Sequence, residues 1–202
     1  GKLHISKATL DYFVDNHLAK IVTENIYRTP IKKIDSKVER KPLSVSQQNI
    51  VDTFVKDFDS DVRKTYLLHG ITGSGKTEVY LNCIEEVVKR GKQVIVLIPE
   101  IALTYQTVMR FYHRFKERIS FINSSLSQGE KYDQHMRAKK GEIDVIIGPR
   151  SALFTPFPNL GLIVIDEEHE GTYKSETMPK YHARETAIEL ARLNNASVML
   201  GS

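Results

Sequence analysis

"GITGSGKT", Gly70 to Thr77, runs glycine, four residues, glycine, lysine, then serine or threonine, and that spacing is the signature of a phosphate-binding P-loop. Its glycines, Gly70, Gly73 and Gly75, let the backbone curl until successive N–H groups converge on one point. Such a nest, completed by Thr72 and Ser74, takes the β-phosphate of a nucleotide. The Lys76 ammonium then neutralises the β- and γ-phosphates, and the Thr77 hydroxyl ligates the magnesium ion that bridges them. The flanks agree with this reading. Thr65 to His69, "TYLLH", reads as a short buried strand. From Glu78 onward, Tyr80, Ile84, Val87 and Val88 recur on one side of a helix that Gly91 ends. Strand, loop and helix in that order bring the positive end of a helix dipole to the phosphate.

Outward from the loop the alternation of strand and helix continues, which is the mark of an α/β fold with a parallel sheet. "VIVLI" (Val94 to Ile98) is a second strand, followed by a helix from Ile101 to about Phe115. "ISFI" (Ile119 to Ile122) is a third, and Ser127 with Glu130 has capping-box spacing for a helix to about Lys140. "DVIIG" (Asp144 to Gly148) and "LIVI" (Leu162 to Ile165) follow, then a helix over His182 to Leu193 and "SVMLG" (Ser197 to Gly201). Strands apolar throughout predict burial on both faces under helices. Upstream, Ser46 is expected to cap a helix whose apolar face is Ile50, Val51, Phe54, Val55 and Phe58.

The remainder of the chain has a different character. Ser6 is expected to cap a short helix with Leu10, Phe13, Val14 and Leu18 at helical spacing, and "AKIVTENIYRTP" has the β-rich character of a hairpin arm closed by Pro30. These elements are too few for a core of their own, so residues 1–34 read as the end of a domain that begins further upstream. The polar, charged run "IKKIDSKVER" is the expected linker, placed at 35–42, and the main domain is expected over 43–202.

Composition bounds the function. At 202 residues and 41% hydrophobic the chain has enough apolar material for one good core. One cysteine, Cys83, excludes an internal disulfide framework and points to a reducing cytoplasm. No apolar run approaches the roughly 18 residues of a membrane span. A net charge of +4 and a pI near 9.0 are compatible with a polyanionic partner without requiring one.

The second chemical element follows the fifth strand: Asp166, Glu167, Glu168 and His169, "DEEH". A carboxylate just beyond a buried strand stands where open α/β sheets bind ligands and where a P-loop enzyme carries its Walker B acid. Two carboxylates divide the labour: Asp166 holds magnesium through its outer shell, and Glu167 orients or deprotonates the water that attacks the γ-phosphate. Further on, Arg150 and Ser151 follow the fourth strand and are candidates for gripping phosphates, against the alternative of a surface arginine at a helix end. Tyr173, Lys174, Tyr181, His182 and Arg184 interleave aromatic and basic residues as a stacking surface for single strands does, although the residues alone favour a core-packing role for both tyrosines. The loop from Glu170 to Arg184 has no periodic apolar face and is expected to be mobile.

Taken together, "GITGSGKTEVYL", "LIPEIALTYQT", "GPRSALFTP" and "VIDEEHEGTYK" with "KYHAR" resemble the successive motifs of the PriA family, bacterial superfamily 2 DNA helicases of replication restart. The resemblance covers residues 43–202 and implies a RecA-like P-loop NTPase lobe preceded by a partial winged-helix segment. It implies ATP and Mg2+ at this lobe, with Gln47 in the position tied to adenine recognition. It implies that Arg150, Ser151, His169, Tyr173, Lys174, Tyr181, His182 and Arg184 bind DNA or couple it to ATP hydrolysis. Its implied partners are single-stranded and forked DNA, primosome and helicase-loader proteins and single-stranded DNA-binding protein, with no membrane, in a bacterial cytoplasm near the nucleoid. Gly201 and Ser202 match the start of the family's next motif, whereas Asn123, Ser124 and Ser125 replace an expected His-Ser pair and are given no role. The family's second motor lobe, its arginine finger and its zinc-binding cysteines are absent from this sequence, so a piece of a larger protein is expected, one that binds ATP weakly and barely hydrolyses it alone. The alternatives are another superfamily 2 translocase, RecG-like or a restriction motor, against which the "YHAR" run argues, and a nucleotide-gated DNA-binding scaffold.

Overall fold

Runs of Val, Ile and Leu have no polar face to offer water, so they pair with one another and hide both sides. The computed structural model describes residues 5–20, 42–71 and 73–202. Its strands are β1 (Thr65–Leu68), β2 (Gln93–Leu97), β3 (Ile119–Phe121), β4 (Val145–Gly148), β5 (Leu160–Ile165) and β6 (Ser197–Gly201). All pair in parallel in the order β1-β6-β5-β2-β4-β3. The helices are α1 (Lys7–Asp15), α2 (Val45–Asp59), α3 (Lys76–Lys89), α4 (Tyr105–Phe115), α5 (Gln128–Lys139) and α6 (Ala183–Leu193). Alternate strand residues feed two cores. Val94, Val96, Val145, Val164 and Met199 pack with α2, α3 and α4, while Ile95, Leu97, Ile146, Ile163 and Leu200 pack with Ala138 of α5 and the alanines of α6. Small residues at Ala183, Ala187 and Ala191 let α6 lie close on the sheet.

Several expectations are corrected. Ser44, not Ser46, caps α2, because Gln47 stands three residues after Ser44 and completes a capping box with it. α4 starts at Tyr105, not Ile101: the Thr104 hydroxyl accepts from the Thr107 N–H, and Glu100–Ala102 forms a separate 3-10 turn. Burial on both faces holds for β2, β4, β5 and β6 but not for β1, an edge strand on which Leu67 is 64% exposed. α1 forms as expected from Ser6 but buries none of its residues. The hairpin arm and the linker fall, but for a few end residues, on positions outside those described. No described helix is long and apolar enough to cross a membrane.

Candidate active site

β1 and β5 flank β6, so the loop after β1 and the acidic turn after β5 stand on either side of the end of β6. Three main-chain hydrogen bonds fix this arrangement. Gly70 N–H donates to the Ser202 carbonyl at 3.0 Å, Ser202 N–H to that of Leu68 at 3.1 Å, and Glu168 N–H to that of Gly201 at 2.7 Å. Within the loop, Gly73 and Gly75 have φ of 82° and 88°, a region that favours glycine. Gly75 is constrained twice over, since a Cβ there would come within 2.5 Å of Gln47 Nε2. Gln47 is a brace at the loop's shoulder: its Oε1 accepts from Ser44 N–H at 2.8 Å and its Nε2 donates to the Ser74 carbonyl at 2.9 Å. Thr72 lies outside the described residues.

Lys76 and Thr77 begin α3, where the helix N-terminus offers its unpaired N–H groups to an anion. Lys76 Nζ donates to the Gly70 carbonyl at 2.6 Å and lies 3.8 Å from Glu167 Oε1. That second distance is too long for a hydrogen bond, so the acid and the ammonium face each other without pairing closely. Two segments nearly ninety positions apart in the sequence thus meet at one point.

The acidic turn is held from several sides. Asp166 N–H continues the β2–β5 ladder by donating to the Leu97 carbonyl at 2.9 Å. Its Oδ1 accepts from the Tyr80 hydroxyl at 3.3 Å and from Glu167 N–H at 3.2 Å. Burial raises the Asp166 pKa above the usual carboxylate range and the adjacent Glu167 charge adds to the rise, while the Tyr80 and Glu167 hydrogen bonds and Lys76 oppose it. Burial and Asp166 likewise raise the Tyr80 phenol, which stays a donor. Glu167 itself has φ of 49°, a left-handed conformation costing a non-glycine residue about 1–3 kcal/mol and kept only where surroundings dictate it. Glu168 accepts from Arg184 Nη1 at 2.8 Å, and His169 Nε2 lies 3.6 Å from Glu167 Oε2.

Magnesium takes hard oxygen donors, commonly one or two carboxylates with the substrate's phosphate oxygens. The Thr77 hydroxyl and the partly buried Asp166 carboxylate are donors of that kind. Among the described residues no group of three or more His, Cys, Asp or Glu side chains is arranged to cage a metal.

Of the other predicted residues, His169 and Arg184 stand at the acidic turn, whereas Arg150, Ser151 and Tyr173 lie toward the far end of the sheet's carboxyl edge. A cleft of about 360 Å³ there is lined by Glu100, Asn123, Ser124, Lys131, Arg150 and Ser151, with Thr172 and Tyr173 behind. Arg150 Nη1 donates to the carbonyls of Thr172 and Lys174 at 2.7 and 3.0 Å, and Glu100 accepts from Ser124 N–H at 2.8 Å. Tyr173 is corrected as a stacking surface: it is 1% exposed, with its ring in the core beneath β2 and β5 and its hydroxyl on the Asp166 and Leu97 carbonyls. The expectation of a loose loop is corrected with it. Lys174 and His182 form an antiparallel bridge, Ser175 N–H donates to the Tyr181 carbonyl, and Tyr181 packs edge-on against Phe154 at 5.2 Å between ring centroids. His182 caps α6, its Nδ1 accepting from Arg184 N–H, while Lys174, Ser151 and His169 are exposed.

Sequence reasoning assigned no site role to Tyr80, Glu168 or Gly201. A methyl at Gly201 would overlap the Tyr80 hydroxyl and approach Asp166 Oδ1, so glycine there permits the contact between them. Tyr80 read only as core, and the one available signal was its hydroxyl, which needs a partner once buried.

The family model described as "Type III restriction enzyme, res subunit" matches residues 40–201. The Replication restart protein PriA of Bacillus subtilis is 46% identical over 202 residues, all of this chain and 25% of that protein. Its counterpart in Chlamydia pneumoniae is 46% identical over 163 residues, covering 80% of this chain and 22% of that protein. The chain thus spans about a quarter of the length of the curated relatives it matches. Among solved structures, RecG bound to a three-way DNA junction superposes with a TM-score of 0.60 at 21% identity, over 98% of this chain and 23% of that one. The Type ISP restriction-modification enzyme LlaGI, a nuclease-deletion mutant with a DNA substrate mimic, superposes at 0.54 and 17% identity, over 80% and 17%. At those identities the two structures speak for the fold, a RecA-like lobe.

Proposed function

We propose, because this chain belongs to the family of the Type III restriction enzyme res subunit, that residues 43–202 are the ATP-binding motor lobe of a replication-restart DNA helicase. The observation that carries the reading is the approach of Lys76 to Glu167, 3.8 Å apart across a P-loop and an acidic turn. Identity of 46% over the whole chain to a PriA protein, against 17% to the restriction enzyme LlaGI, favours replication restart over a restriction motor.

In this reading the loop from Gly70 to Gly75 cradles the phosphates: Thr72, Gly73 and Gly75 supply N–H donors, the Gly70 and Ser74 N–H groups brace the loop on the Ser202 and Ile71 carbonyls, and Lys76 neutralises the β- and γ-oxygens. Thr77 and Asp166 would hold magnesium, which would supply charge neutralisation at the phosphates. Glu167 takes up or orients the proton of the attacking water, and its left-handed backbone aims the carboxylate toward Lys76. Gln47 reads the base by exchanging the bonds it now makes to Ser44 and Ser74. Arg150, Ser151, Lys174, His169, Tyr181, His182 and Arg184 meet single-stranded or forked DNA on the carboxyl edge, and the turn 170–184 couples that contact to the acids.

The parent protein unwinds DNA 3′ to 5′ and, with loader proteins and single-stranded DNA-binding protein, starts primosome assembly in the bacterial cytoplasm at the nucleoid. Residues 1–34 are the end of a winged-helix domain and 35–42 a linker. Zinc belongs to another part of that protein. The test is ATP turnover and strand displacement by the full-length protein on forked DNA. DNA-stimulated turnover with displacement is expected, and turnover indifferent to DNA would contradict the reading.

A further inference from the structure

The register of β2 against β5 ends at Leu97 opposite Ile165, and Asp166 N–H makes the last ladder bond by donating to the Leu97 carbonyl. The next acceptor, the Asp166 carbonyl, lies past the ladder, where a half-buried carbonyl without a partner is costly. Tyr173 fills that place. Its hydroxyl stands 2.7 Å from the Asp166 carbonyl and 3.1 Å from that of Leu97, one donor shared across the ends of both strands. With the ring fixed in the core, the hydroxyl has no freedom to wander. The turn that carries it is held from outside by Arg150, whose guanidinium takes the carbonyls on either side of Tyr173, those of Thr172 and Lys174. On the opposite side Glu168 N–H is fixed to Gly201. Between these two anchors Glu167 is kept at φ of 49°, which it would not adopt by preference.

We infer that Tyr173 is a positioning residue of the nucleotide site, its hydroxyl fixing the main chain of Asp166 and Glu167, with Arg150 as the outer bolt that holds Tyr173 in place. This rests on the reading of Asp166 as the magnesium-side acid. It gives a different role from stacking on a base: the tyrosine acts from beneath the acids and touches no ligand.

The test uses this chain and a fluorescent ATP analogue, reading the magnesium concentration that half-saturates binding in Tyr173→Phe and Asp166→Asn, beside the melting temperature. Tyr173→Phe keeps the ring and loses only the hydroxyl. It should raise the magnesium requirement about tenfold, the lower end of what loss of a partner behind a metal ligand costs. It should also speed amide exchange at Glu167 and Glu168 while leaving binding without magnesium unchanged. An unchanged requirement in Tyr173→Phe, with magnesium dependence lost in Asp166→Asn, overturns the inference and leaves the reading of Asp166 standing. Dependence retained in Asp166→Asn overturns that reading and the inference with it. Should Tyr173→Phe not fold, Arg150→Gln frees the turn without touching the core. A raised magnesium requirement there supports the inference, and an unchanged one overturns it.

Discussion

The two ends of the sheet's carboxyl edge carry similar polar residues and use them differently. At the β1–β6–β5 end, Lys76 and Glu167 face each other beyond hydrogen-bond length, and Glu167 sits in a strained conformation. At the β2–β4–β3 end, Arg150 is on two carbonyls and Glu100 on the Ser124 N–H, while Tyr173 bridges the two ends through the carbonyls of Leu97 and Asp166. Charges held apart beside a left-handed residue thus set the first end off from the second, where the named side chains each have hydrogen-bond partners. A high density of charged and aromatic residues is common to both and does not separate them.

The largest expected effect sharpens that contrast at the reactive end. In the full-length protein, Glu167→Gln should retain nucleotide and lower kcat by about 10²–10⁴, the usual worth of a general base. Lys76→Ala should lose nucleotide affinity as well. Steady-state kinetics beside a binding titration separates the two, and equal loss of affinity in both would break the division of labour. Next in size is Gly201→Ala, where the added methyl overlaps the Tyr80 hydroxyl and forces the core to shift. A loss of about 1–3 kcal/mol in denaturant unfolding is expected, the range for overpacking a core.

The burial of Asp166 should also be visible as a pH dependence. The Asp166 pKa is raised in the fold, so the folded state holds its proton more tightly than the unfolded chain. The associated stability is fully present below the ordinary carboxylate pKa and is lost as pH rises through the raised value. Asp166→Asn keeps an acceptor for Tyr80 and Glu167 N–H without the charge. The variant should therefore gain on the native chain as pH rises through that window, and be the more stable at neutral pH. Parallel stability curves in pH-dependent melting would contradict this. The smallest effect is at the loop's shoulder: Gln47→Ala should cost about 1 kcal/mol, as loss of a helix cap does, through its bonds to Ser44 and Ser74. Thermal unfolding would read it.

How legible each region was follows from the same physics. The P-loop was readable because its glycines encode backbone conformation directly, as at Gly73 and Gly75. Asp166 and Glu167 were readable because an apolar strand ending in acids fixes which end of a parallel sheet they occupy. The capping box was within reach too: Ser44, with Gln47 three residues on, was present in "SVSQ", and Ser46 was the wrong serine of the two. Tyr173 favoured a core role on its residues alone, as its burial agrees, but the two carbonyl partners of its hydroxyl were not readable. Nor was the exposure of Leu67, because local pattern does not say which strand lies at the edge.

The central claim, that the loop after β1 and the turn after β5 form one magnesium-dependent nucleotide site, is tested most directly by titrating this chain with a fluorescent ATP analogue, with and without magnesium, beside Lys76→Ala. Binding that strengthens with magnesium in the native chain and is lost in Lys76→Ala is the predicted result. Binding of equal strength in both chains, indifferent to magnesium, would contradict it.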